Sequence, residues 1–135
     1  MNKRLTGNCL CGDVSFTVSA DFSQFYLCHC KQCRQITGSP YAANLLTTPE
    51  KLTWVSGEKL LQRYDYPGRA FSKVFCSKCG SSLPFVTQSG QTLIVPAGCL
   101  DEQPDMTPDN NIFWDEHVAW VESSHGAPKC RQFPD

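Results

Sequence analysis

No stretch of this chain approaches the roughly 18 consecutive apolar residues that a membrane-spanning helix requires, and no block of Lys or Arg exceeds two adjacent residues. The first absence excludes a helical membrane span, and the second removes the electrostatic footprint of a duplex-binding protein. Net charge is close to nil, −1 at neutral pH with an isoelectric point near 6.3, so nucleic acid is not an expected partner. The run MNKRLTGNCLCG at the N-terminus lacks the apolar segment of a secretory signal, which leads to the expectation of a soluble, cytoplasmic protein. Apolar residues form 41% of the 135 positions, a modest share but enough for one core. The length fits a single domain over the whole chain.

Cysteine is what the chain has in excess. Seven of its nine cysteines fall into three clusters, Cys9-x-Cys11, Cys28-x-Cys30-x-x-Cys33 and Cys76-x-x-Cys79. A short Cys-rich chain can be a disulfide scaffold, but cysteines one or two positions apart seldom bridge one another without strain. In a reducing compartment, clustered thiols at these spacings and an odd total point to metal binding.

Strand signals dominate the rest of the sequence. Residues 13–19 alternate Val14, Phe16 and Val18 with polar neighbours, and 41–46, 52–56, 60–66, 70–76, 82–87 and 92–96 are further short runs bounded by Pro, Gly or Ser. These periodicities predict an all-β domain of mainly antiparallel sheets. Only 31–37, followed by Gly38, reads as a helical turn or two, which would place Cys33 in its first turn. Lys31 and Arg34 beside it could offset part of the charge of a thiolate cluster, or equally be ordinary solvated residues. The segment 103–111, with two prolines, is expected to be a loop.

Zinc is tetrahedral and favours thiolate sulfur, so seven clustered thiols suit two ions. Cys9, Cys11, Cys76 and Cys79 can close one structural site that pins the N-terminal region to a mid-chain knuckle. Cys28, Cys30 and Cys33 then hold a second ion with a vacant position, unless His29 completes it. His29 lies between two ligands, where its ring would usually point away from a shared ion, and its plainer reading is a surface residue or one that supports a ligand. A competing arrangement pairs Cys30 and Cys33 with Cys76 and Cys79 as a zinc ribbon and leaves Cys9, Cys11 and Cys28 over. Cys99 and Cys130 stand alone and read as buried apolar or inert thiols. Trp54, Trp114 and Trp120 read as packing residues.

The runs Gly7-x-Cys9-x-Cys11-Gly12-x-Val14-x-Phe16, Cys28-His29-Cys30-x-x-Cys33-Arg34 and Phe75-Cys76-x-x-Cys79-Gly80-Ser81-x-Leu83, continued by Pro96-Ala97-Gly98-x-Leu100-Asp101 and by Ile112-Phe113 before Ala119-Trp120, resemble the glutathione-dependent formaldehyde-activating enzyme family, also called the centromere protein V family. The resemblance implies a tent-like, zinc-bound β fold. It implies that Cys9, Cys11, Cys76 and Cys79 are structural zinc ligands and that Cys28, Cys30 and Cys33 are catalytic zinc ligands. It further implies reversible formation of S-hydroxymethylglutathione from glutathione and formaldehyde, a carbon-sulfur lyase activity. The chain departs from the pattern at Cys99, where relatives often have Ser or Thr, and at Asn111, where many have His.

The expected function is therefore that of a two-zinc lyase acting on thiol-aldehyde adducts, with glutathione as the first candidate thiol. Its rivals are a non-catalytic zinc module that binds a protein partner, and a zinc store or sensor that releases the ion on oxidation. The enzyme reading expects a concave opening at the three-cysteine site, and the module reading expects an exposed apolar patch.

Overall fold

A computed structural model describes residues 3–134. In chain order its elements are β1 (Arg4–Asn8), β2 (Ser15–Ser19), β3 (Gln24–Cys28), the helix α1 (Lys31–Thr37), β4 (Ala42–Thr47), β5 (Leu52–Ser56) and β6 (Leu61–Asp65). There follow β7 (Ser72–Cys76), β8 (Ser82–Leu83), β9 (Phe85–Val86), β10 (Leu93–Pro96), β11 (Asn110–Ile112) and a short α2 (Trp120–Ser123). The all-β expectation holds. The strands form three sheets in the orders β1-β2-β5, β11-β3-β4-β10-β9 and β6-β7-β8.

Alternation along the strands builds one main core between these sheets. Leu5 from β1, Phe16 and Val18 from β2, Leu45 from β4, and Leu93 and Val95 from β10 are almost wholly buried in it. Each such side chain stabilises the fold by about 1.5–3 kcal/mol. Gly7 pairs across the strands with Phe16, and the ring covers the glycine so closely that a Cβ on Gly7 would fall 2.1 Å from Phe16 Cζ. The same ring meets Trp54 edge-on, 5.8 Å between centroids, so the glycine helps to seat a core aromatic pair.

Most expected strands appear within two residues of their predicted ends. The run 82–87 is broken into β8 and β9 at Pro84, which has no N–H to give to a ladder. β1 and β3 carried no decisive sequence signal, since β1 contains a glycine and β3 is a short apolar run without strict alternation. The expected loop at 103–111 ends in a strand. Asn110, Asn111 and Ile112 pair in parallel with Tyr26, Leu27 and Cys28, the sole parallel pairing among the described residues. Asp109 prepares it: its backbone N–H donates to Phe25 O at 2.7 Å, and its carboxylate accepts from Phe25 N at 2.8 Å.

Candidate metal centres

β1 delivers Cys9 to a tight turn in which Cys9 N donates to Val14 O at 3.0 Å and Gly12 N donates to Cys9 O at 3.0 Å. Gly12 takes the left-handed conformation that this reversal needs. β7 delivers Cys76 to a matching knuckle, closed by Gly80 N donating to Cys76 O at 2.7 Å, with Gly80 again left-handed. Two contacts lock the turns together: Leu10 N donates to Ser81 Oγ at 2.8 Å, and Lys78 pairs with Asp13 at 2.6 Å.

The four sulfurs of Cys9, Cys11, Cys76 and Cys79 lie within 4.8 Å of one another. Cys9 and Cys11 are 3.5 Å apart, and Cys11 and Cys76 are 3.9 Å apart. A tetrahedral zinc with Zn–S near 2.3 Å puts its sulfurs about 3.8 Å from one another, whereas a disulfide needs about 2.05 Å. The spacing fits a shared ion. Hydrogen bonding between the Cys79 sulfur and the Ser81 hydroxyl, 3.3 Å apart, heads the causes that hold the Cys79 thiol down at about 5.

Cys28 closes β3, Cys30 caps α1, and Cys33 sits in its first turn. Cys30 Sγ accepts from Cys33 N at 3.4 Å, so one sulfur both caps the helix and faces its neighbours. Gly38 ends α1 in the left-handed conformation, donating to Arg34 O at 2.8 Å, as expected of a glycine just past a helix. All three sulfurs are buried and gather within 4.8 Å. Hydrogen bonding from Cys33, reinforced by Cys30 and the Arg69 charge against the opposing effect of burial, holds the Cys28 thiol down at about 6. The same contact with Cys28 and the burial push Cys33 strongly upward. One thiolate is thus easily carried and further ones are not, which is the electrostatic condition a divalent cation relieves. Both sulfur sets therefore fit zinc in number, spacing and donor type.

The ribbon arrangement is absent: Cys30 and Cys33 group with Cys28, and Cys76 and Cys79 with Cys9 and Cys11. His29 is not a surface residue. It is 1% exposed, lies between Tyr41 and Trp114, and has Nε2 at 2.9 Å from Asn111 Oδ1. Cys99 packs against the core and Cys130 is exposed. Trp54 packs on Phe16 and Trp114 stacks on His117, while Trp120 is 56% exposed and packs less than expected.

The three-cysteine site lies at one end of an open cavity of about 440 Å³, lined by all three cysteines. Its floor is one face of the five-stranded sheet, and its rim includes Arg69 and Phe113. The Arg69 guanidinium stands 5.1 Å over the Phe113 ring and donates to Gln32 Oε1. Phe113 holds a positive φ of 54°, a costly conformation for a bulky residue. Lys31 and Arg34 are the cations nearest the cluster in the sequence, yet Arg69 is the one whose charge lowers the Cys28 thiol. Nothing local marks Arg69, because only the turn after β6 brings it there.

The sequence profile of a family described as glutathione-dependent formaldehyde-activating enzyme matches residues 4–116. An uncharacterized lyase of Schizosaccharomyces pombe is 29% identical over 85 residues, 63% of this chain and 59% of that protein. The chain thus spans less than two thirds of that relative. A crystal structure of a Rhodobacter sphaeroides protein has the same fold, with a TM-score of 0.60 at 23% identity, covering 77% of this chain and 92% of the other.

Proposed function

The chain belongs to the glutathione-dependent formaldehyde-activating enzyme family, and from that premise we propose that it is a zinc-dependent carbon-sulfur lyase acting on thiol-aldehyde adducts. The observation that carries this reading is the gathering of three free, buried sulfurs at the wall of a cavity of about 440 Å³. Cys9, Cys11, Cys76 and Cys79 would hold a structural zinc and supply four sulfurs to it. Cys28, Cys30 and Cys33 would hold the second, and a zinc there would supply Lewis acidity that favours the thiolate form of a substrate thiol.

In the cleavage direction the C–S bond of a thiohemiacetal breaks with its electron pair going to sulfur. The adjacent hydroxyl loses its proton as the carbonyl forms, and the products are thiol and aldehyde. The chain's own part is to fix geometry. The half-buried cavity limits access of bulk water, and Tyr26 and Asn44, cross-strand partners on its floor, offer polar groups about 7 Å along the strands from Cys28. Holding both reactants here raises the rate through proximity. Formaldehyde and glutathione are the pair in the family's name and the first substrates to try. A reducing, cytoplasmic setting would keep the seven thiols available to zinc.

The test is an exchange measurement by NMR on formaldehyde and glutathione with the zinc-loaded protein and with Cys30→Ala. The variant is expected to fall to the uncatalysed rate while keeping its β-sheet circular dichroism. Unchanged exchange in a folded variant would reject the lyase reading.

A further inference from the structure

The cavity's far end has a chemistry that glutathione does not match. The ladder registers arrange its floor in rows across the sheet. Cys28 pairs with Ala42 and Ile112 in the first row, and Tyr26, Asn44 and Pro96 form the second. Leu46, Ile94 and Phe85 form the third. At about 3.4 Å per residue, the third row lies about 14 Å from Cys28 along the strands.

Among the described residues no Asp or Glu lines the cavity, so they offer the ammonium group of glutathione no counter-charge there. Its two lining cations are already engaged close to α1. Arg69 lies over Phe113 and donates to Gln32, and Lys73 Nζ donates to Ile36 O at 3.1 Å. The lining side chains of the third row, Leu46, Ile94 and Phe85, carry neither charge nor hydrogen-bonding group. Gln24 pairs with Leu46 in the same row but does not line the cavity, and Thr87 and Gln88 beyond Phe85 are engaged with Ser89 and with Ser72 and the backbone of Arg69 and Phe71. A carboxylate or ammonium placed against this row would therefore lose its hydration without a free partner. Its side chains are half-buried and apolar on a face that no other element fully covers. An apolar group fits there.

Resting on the reading of the three-cysteine site as a thiol-aldehyde centre, we propose that the natural adduct carries an apolar chain or ring that extends from the reacting C–S bond over Tyr26 and Asn44 to the Leu46, Ile94 and Phe85 row. The body can belong to the thiol or to the aldehyde, since both carry the same group across the same floor.

Cleavage of three adducts by the zinc-loaded protein, followed by NMR exchange, tests this: S-hydroxymethylglutathione, the formaldehyde adduct of 2-phenylethanethiol, and the glutathione adduct of hexanal. At least one apolar adduct is expected to show kcat/KM tenfold or more above S-hydroxymethylglutathione, and the better of the two tells which side bears the body. Ile94→Asn is expected to shrink that ratio at least threefold. An uncleavable thioether, methyl 2-phenylethyl sulfide, should bind the wild type in ligand-observed NMR and bind Ile94→Asn more weakly. If S-hydroxymethylglutathione is cleaved as well as or better than both apolar adducts, the proposal is overturned while the lyase reading stands. If no adduct is cleaved but the thioether binds in an Ile94-dependent way, the lyase reading falls and the assignment of the cavity to an apolar ligand is supported. Absence of both cleavage and thioether binding overturns the two together.

Discussion

His29 Nε2 lies 2.9 Å from Oδ1 of Asn111, which ties the residue between two candidate ligands to a strand 82 positions further along the chain. Beside it, His29 N donates to Ile112 O at 3.0 Å, so backbone and side chain are gripped by the same strand. The contact places the proton on Nε2, with the amide oxygen accepting. Nδ1 is buried without a hydrogen-bond partner among the described residues. The parallel β11 thereby fixes the chain direction as it passes from Cys28 to Cys30.

Asn111→Ala removes the acceptor, and because Asn111 is itself exposed water reaches the space it leaves, so the cost is that of one hydrogen bond, about 0.5–1.5 kcal/mol. The melting temperature of the zinc-loaded protein is expected to fall accordingly. A melting temperature unchanged from wild type would show that β11 does not hold His29 in solution.

Gly7→Ala inserts a methyl group into the space of the Phe16 ring. Phe16 cannot withdraw without losing its contact with Trp54, and overpacking of this kind costs about 1–3 kcal/mol. Denaturant titration should show a lower midpoint. Equal stability of wild type and variant would mean that the ring has another place to go.

The two sulfur sets predict two zinc ions per chain by elemental analysis, and their loss should differ in effect. Cys79→Ala breaks the set that joins β1 to β7, and the chain is expected to unfold or to lose most of its cooperative transition. Cys30→Ala should stay folded and retain one zinc. A Cys79→Ala protein with the wild-type melting temperature would contradict the structural assignment.

Burial pushes the Cys99 thiol up to about 12 from its ordinary 9.0. The sign follows from linkage: the unfolded chain ionises Cys99 above pH 9.0 and the folded chain does not, so this group's contribution is complete below that pH and is lost as pH rises towards 12. The slope is at most about 1.4 kcal/mol per pH unit. Unfolding free energies of wild type and Cys99→Ala between those limits should show a shallower alkaline decline in the variant, and parallel curves would refute the assignment.

Much of this was legible from spacing. Cys-x-Cys and Cys-x-x-Cys leave thiols too close to bridge and well placed to chelate, so the seven candidate ligands were legible in the sequence, while the choice between the four-plus-three grouping and the ribbon was not. Gly38 gave the end of α1, and the alternation of Val14, Phe16 and Val18 gave β2 its buried face. β11 has no local signal because two prolines and several polar residues precede it, and its pairing depends on β3, whose own signal is weak.

Local chemistry is written into short intervals: which residues can ligate, turn or face a core follows from side-chain type and from the periods of strand and helix. What those intervals cannot hold is which distant segments meet. The grouping of Cys76 with Cys9, the grip of Asn111 on His29, the approach of Arg69 to Cys28 and the apolar row beyond it were all decided by sheet register. Register is a property of strands packed together, set by which faces must be buried at the same time.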